Sequence, residues 1–418
     1  MHPDPTSAYL RWAATRAALW RGYWQVTAVY LVVVADLTPP ELVLIGTGQA
    51  LTVLVAEIPA GVLADTVSRR RSVVIAQVVT GAGMVVAGLV TTFPLLVVSQ
   101  CLCGLGWAFA SGADVAWLSD ELGRPAVVDR VFASQARWEL LAGPAGMVVF
   151  GALAYAMSLS VAIVVSGTAM AILAVVVARW SEDGFVRGDP GRRRHAAAAI
   201  LGDGARLARV DRVIGAALVA TVLFHGGFEA YGRLLQRHLL DLGLPADPHP
   251  IVWFTAIGLI GFALGAIALR AVQQHIDGDG APQRIHAAMC TVGAFGLVLF
   301  AHAPSASSAV VGAFLVSGIA DPVTRVTTTV WVNRRATREV RATVHSFVSQ
   351  AEHLGEVVLG LTLAGLASFA SAPVALTGSA ALIVAAGAVA LRSLSTAPTS
   401  TGRRRWPSIH RSGRRTSM

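Results

Sequence analysis

The residues able to do chemistry in this sequence are ionisable groups set in or beside long apolar runs: Asp36, Glu57, Asp114, Glu139, His225, Glu229, Asp321, Glu352, His353 and Glu356. His225, Glu229 and Arg233 follow one another at i, i+4 steps, with Gln236 three further on, so a helix would carry them as one polar stripe. The stripe reads two ways. Glu229 and Arg233 pair to hold a helix end, or Glu229 is a carboxylate enclosed in a bilayer that takes up and releases protons. Ser349, Glu352, His353 and Glu356 mark a second face at three- to four-residue spacing. Two carboxylates flanking a histidine can relay protons, or can be neutralised by Arg325 or Arg341. Their spacing matches no familiar metal-ligand pattern, so neither metal nor cofactor is expected. Glu57 precedes Pro59, and either takes backbone N–H groups freed by the proline or lines a lateral cleft. Asp36 ends its run as an interface residue or as a point of external proton entry. Arg137 and Glu139 open another run and read as a pair.

The elements that must carry these groups follow from composition. Of 418 residues, 55% are hydrophobic and 14% charged, against about 25% charged in an ordinary soluble domain. Mean hydropathy is +0.63. Polar surface is too scarce to cover a soluble core of this size, which leaves an all-α polytopic membrane protein. At about 20 residues each, twelve spans use roughly 240 residues. Apolar runs fall at 22–37, 42–63, 73–92, 94–117, 134–155 and 158–178, then at 212–236, 251–270, 285–303, 307–330, 343–369 and 372–391. The expected organisation is a cytoplasmic segment at 1–21, a six-helix bundle at 22–179, a central loop at 180–211, a second six-helix bundle at 212–391 and an Arg-rich tail at 392–418.

Charge tests that count independently. The net charge is +9 and all 33 basic residues are arginine. Arg69–Arg71, Arg124 and Arg130, Arg192–Arg194, Arg270 and Arg284, and Arg334, Arg335, Arg338 and Arg341 flank the even-to-odd loops, while the opposite loops hold no arginine. Arg233, Arg237 and Arg325 are the exceptions. This bias predicts that both ends lie in the cytoplasm, and the expected location is a bacterial plasma membrane. The same scatter of arginine among short loops argues against nucleic acid as a partner. Spans three, six, eight and twelve hold no ionisable residue within their apolar stretch, and span nine only the terminal His286 and His302. Every third helix is therefore expected to face lipid, with the polar ones around a central cavity. Cys101, Cys103 and Cys290 read as small core residues. Trp12, Trp20, Tyr23 and Trp24 read as interface anchors, and Trp107 and Trp253 as packing or substrate-contact residues. No Walker-type phosphate loop or hydrolytic set is visible, and Gly104-Leu-Gly106 lies in a span rather than at a strand–helix turn, so no enzyme is expected.

After span two the chain reads Gly61-Val-Leu-Ala-Asp65-Thr-Val-Ser-Arg69-Arg70-Arg71. This resembles the loop signature of the major facilitator superfamily, with Thr66 and Ser68 departing from it. Gly143-Pro144-Ala145-Gly146 in span five resembles part of a motif of the family's proton-coupled exporters, with Met147 and Glu139 at positions usually glycine. Gly104-Leu-Gly106-Trp-Ala108 resembles a span-four pattern of the family in which Gln100 replaces an arginine. Ser111-Gly-Ala-Asp114-Val-Ala-Trp117 and the Trp331–Thr343 stretch are similar to segments of bacterial efflux members.

The resemblance implies twelve helices in two pseudo-symmetric six-helix bundles that rock by alternating access. It implies a conformational latch at Gly61, Asp65, Arg69 and Arg70 with Asp114, Asp120 or Glu121, and a helix bend at Gly143, Pro144 and Gly146. The candidate proton and substrate residues are Glu229, His225, Arg233, Glu356, His353, Glu352, Glu57 and Asp36. The expected activity is proton-coupled export of amphipathic organic molecules by a monomer, with lipid, substrate and protons as partners. An uptake symporter and a non-transporting sensor or scaffold on the same fold are the alternatives.

Overall fold

The computed structural model describes residues 4–188, 211–336 and 341–395, with backbone alone at 341–343. The arginines expected at 192–194, Arg338 and the tail from 396 lie outside the described residues. Every regular element among those described is helical. Twelve helical passes follow one another: α1 Pro5–Val33, α2 Pro39–Thr66, α3 Arg69–Leu89, α4 Phe93–Leu122, α5 Pro125–Ala156, α6 Leu159–Ala178, α7 Arg212–Asp241, α8 Pro250–Gln273, α9 Ala281–Ala301, α10 Ala306–Arg335, α11 Arg341–Phe369 and α12 Ala372–Ser395. Ten of them are long and apolar enough to cross a membrane. The other two, α1 and α11, are the passes that carry Arg11, Arg16 and Arg21, and Glu352, His353 and Glu356.

Helix starts follow local chemistry. Asp4, Ser68, Ser158, Asp211 and Ser305 each accept a backbone N–H from the first turn, and proline opens α1, α2, α5 and α8. Two helices are interrupted. In α4, Gly112 takes φ +75°, which a side chain would resist, and the helix restarts at Ala113. In α10, Phe314–Ala320 widens to a π-helical turn. There the Tyr231 hydroxyl donates to the Ala313 carbonyl at 3.2 Å, meeting a backbone group the wider turn leaves available.

Packing repeats with a shift of six helices. Helix α3 packs on α6 and α4 as α9 packs on α12 and α10, and α1 packs on α5 and α6 as α7 packs on α11 and α12. Bare backbones make this possible: a methyl group at Gly81 in α3 would stand 2.6 Å from the Gly167 carbonyl in α6. Between the halves, α2 meets α11 and α7, while α5 and α1 meet α8. These contacts also exchange under the same shift. Helices α3, α6, α9 and α12 line neither of the two cavities described below, in keeping with a lipid-facing place.

Helix α1 begins well before the apolar run at 22–37. Trp12 and Tyr23 are fully buried against the amino-terminal half, so the aromatic cluster packs inside the bundle instead of anchoring at an interface. With twelve passes, the starts of α1 and α7 and the ends of α6 and α12 share one face, here the terminal face; the opposite one is the far face.

Candidate functional site

A central cavity of about 300 Å³ lies between the halves. One wall is aromatic. Trp20 stands 5.9 Å from both Trp24 and Trp107, ring centre to ring centre, and Gln49 of α2 adds an amide. The facing wall is charged: Glu229 and Arg233 from α7, Arg325 from α10, and His353 and Glu356 from α11.

The α7 stripe forms as its spacing requires. Arg233 Nε lies 2.9 Å from Glu229 Oε1, its Nη2 donates to Gln49 Oε1 across the halves at 3.2 Å, and its guanidinium sits 5.1 Å from the Trp24 ring centre. One turn away, His225 Nδ1 is 3.0 Å from Glu352 Oε1 of α11. Arg325 Nη1 reaches the same oxygen at 2.8 Å, while its Nε bonds Asp321 at 2.9 Å. His353 Nδ1 is 3.0 Å from Glu356 Oε2. The cavity wall is thus a chain of ion pairs in which each carboxylate has a nearby cation or histidine.

His225, Glu352 and Glu356 bring ligand atoms within 4.8 Å of one another. Arg325 already holds Glu352, and its fixed positive charge opposes a metal ion there.

Glu57 and Asp36 lie elsewhere. The Glu57 carboxylate accepts from Ser111 at the α4 break (2.8 Å), from Ser349 (3.5 Å) and from Gln350, the last two on α11. Asp36, at φ +47° in the α1–α2 turn, is 2.9 Å from Arg237 at the far face.

At the terminal face Arg69 Nη1 is 2.5 Å from Asp120 and donates to the Ala116 carbonyl at 2.7 Å; its Nη2 is 3.5 Å from Asp65. Asp114 stands apart from Arg69. It accepts from the Val115 N–H and lies in the field of Arg16 and Glu139. Gly61 faces open space, and a methyl group there would meet nothing within 4 Å. Arg70 turns to the segment after α6, where Glu182 accepts the Arg70 backbone N–H (2.9 Å) and the Ser68 hydroxyl at the start of α3. A carboxylate at a helix N-terminus is favourably placed. Trp180 stacks on Trp117 at 4.1 Å, Glu121 accepts from Ser181 and Gly184, and Arg187 donates to the Thr66 carbonyl. Residues 180–188 therefore strap the terminal ends of α2, α3 and α4 together, a role no local sequence pattern announces.

Gly143, Pro144 and Gly146 sit within an unbroken α5. Gly146 lies directly on the Ala18 backbone of α1, so a side chain there would force the helices apart. Gln100, at the position of the family's arginine, is fully buried and donates to the Tyr23 hydroxyl at 2.7 Å.

The family model for the Major Facilitator Superfamily matches residues 17–360. The chain belongs to this superfamily. Solved structures of the superfamily fold agree. A mutant of the nucleoside transporter NupG superposes with TM-score 0.73 at 12% identity, covering 94% of this chain and 98% of that one. A POT family transporter in complex with 5-aminolevulinic acid gives 0.72 at 11%, covering 94% and 97%. A mutant peptide transporter POT in complex with sulfate gives 0.72 at 14%, covering 94% and 95%. No curated protein matches the sequence. At these identities the likeness establishes the fold alone and leaves substrate to the site itself.

Proposed function

We propose that this superfamily member is a proton-coupled exporter of amphipathic small organic molecules, working as a monomer by alternating access. The observation that carries the reading is the central cavity, whose indole wall faces a wall of carboxylates, histidines and arginines. An amphipathic molecule finds an apolar surface and charged partners in one enclosed space between two halves. The carboxylate–histidine pairs of α7 and α11 supply groups that can bind and release protons as substrate leaves or enters. Arginine bias supports a terminal face turned toward the cytoplasm, in a bacterial inner membrane on this reading. The Gly143–Gly146 contact, in a motif resembling that of exporters, supports outward direction. The Arg69, Asp65 and Asp120 cluster serves as the latch, keeping the terminal ends of α2 and α4 in register as the halves rock.

The test is accumulation of lipophilic dyes and antibiotics in an efflux-deficient bacterium expressing the chain, with and without a protonophore. Lower accumulation that the protonophore reverses is expected. Raised accumulation would overturn the direction, and transport indifferent to the protonophore would overturn the coupling.

A further inference from the structure

A second cavity, of about 350 Å³, lies nearer the terminal face between α2, α4 and α11. The two cavities are stacked along the same helices. The central one takes Gly46, Gln49, Ala50 and Val53 from α2 with His353 and Glu356 from α11; the second takes α2 from Glu57 onward with Ser346, Phe347 and Gln350. Glu57 stands at the joint between them.

The charge state of this space is one-sided. Among the described residues, its lining contains two acids, Glu57 and Asp65, and no basic residue. Asp65 shares its charge with Arg69. Glu57 is held by Ser111, Ser349 and Gln350, all neutral donors. His353, one turn along α11, feels the Glu57 charge but bonds Glu356. An anion satisfied by neutral groups in a partly enclosed, apolar-walled space gains most from a cation that brings its own apolar body. Ile58, Val62 and Phe347 supply the walls. A small hydrated metal ion is the wrong guest, because Glu57, with Asp65 turned to Arg69, is a single carboxylate against the several oxygen ligands such an ion needs.

We propose that this cavity is a second binding site, separate from the central one, for amphipathic organic cations, with Glu57 as the counter-ion. Ser349 and Gln350 belong to α11 and Glu57 to α2, so their bonds tie the two halves. A cation that engages Glu57 competes with that tie, and occupancy loosens the joint between the halves. The inference stands apart from the direction and proton coupling proposed above.

The test is equilibrium binding of tetraphenylphosphonium to the purified full chain in detergent. Wild type is expected to bind it. Glu57→Gln, which keeps shape and removes charge, and Gly61→Phe, which fills the open space beside Gly61, are each expected to weaken binding by about tenfold or more. Gln350→Ala releases the carboxylate and is expected to strengthen binding by roughly threefold. Trp107→Ala in the central cavity is expected to leave the Glu57-dependent part of this binding in place. No binding by wild type, binding unchanged in Glu57→Gln and Gly61→Phe, or loss in Trp107→Ala alone would each overturn the site. If either terminal-cavity variant fails to fold, the Gln350→Ala result decides, and weaker binding there counts against it. The dye-accumulation experiment reads transport independently, so an inactive transporter with Glu57-dependent binding and an active one without it are distinguishable outcomes.

Discussion

Arg237 of α7 pairs with Asp36 of α1 at 2.9 Å and so joins the two halves at the far face. The Asp36 side chain is 82% exposed, and exposed pairs contribute about 0–1 kcal/mol. Such a pair biases an equilibrium between closed and open far faces by at most a few-fold. Asp36→Asn is therefore expected to change the transport rate less than about fivefold and to leave its pH dependence intact. A pH profile of transport that shifts or flattens in Asp36→Asn would make this residue a proton carrier instead.

Arg69 is the hub of the terminal face, with Asp120, Asp65 and the Ala116 carbonyl around one guanidinium. Charge-assisted hydrogen bonds of this kind are worth on the order of 2 kcal/mol each. Asp120→Asn and Asp65→Asn are each expected to slow transport by roughly tenfold while substrate affinity changes little, because the substrate cavity is elsewhere. Parallel measurement of binding and transport checks this, and full activity in both variants would remove the latch role.

The architecture was legible where physics repeats along the chain. Apolar length and the alternation of Arg69–Arg71, Arg124, Arg284 and Arg334 define twelve passes, and the i, i+4 step of Glu229 and Arg233 defines their pairing. The start of α1 was not legible, because Arg11, Arg16 and Arg21 make its first turns look like a soluble segment. In the folded chain Arg16 lies 5.4 Å and 5.3 Å from the Trp12 and Trp107 ring centres, so an aromatic environment offsets the charge. The strap at 180–188 was hidden for another reason. Its partners Ser68, Arg70 and Trp117 lie far away in sequence, and such contacts leave no periodic trace. The same distance separates Trp20 and Trp24 from Trp107, which is why an apparent interface belt is a cavity wall.

The strap makes a prediction about stability. Trp180 is 1% exposed, stacked on Trp117 and edge-on to Trp12. Replacing a buried tryptophan by alanine costs about 3–5 kcal/mol. Trp180→Ala is expected to lower the melting temperature of the purified protein clearly, whereas Val186→Ala, at an 82% exposed position of the same strap, is expected to leave it unchanged. Equal melting temperatures for Trp180→Ala and wild type would show that the segment rests on the bundle without stabilising it.

Glu229 offers the sharpest separation of binding from coupling. Its carboxylate is bound to Arg233, which also reaches Gln49 across the halves and lies over Trp24. Glu229→Gln keeps the side-chain shape and a hydrogen-bond acceptor for Arg233, but removes the one group on α7 of the cavity that can carry a proton as a carboxyl. Substrate that rests on the indole wall still finds its surface. The variant is therefore expected to retain substrate binding and passive exchange of labelled for unlabelled substrate across vesicles, and to lose accumulation driven by a pH gradient. Loss of exchange together with driven transport would mean that Glu229 holds substrate. Driven transport with an unchanged pH profile would move the proton to the His353–Glu356 or His225–Glu352 pair, and Glu356→Gln is then the variant expected to separate the two.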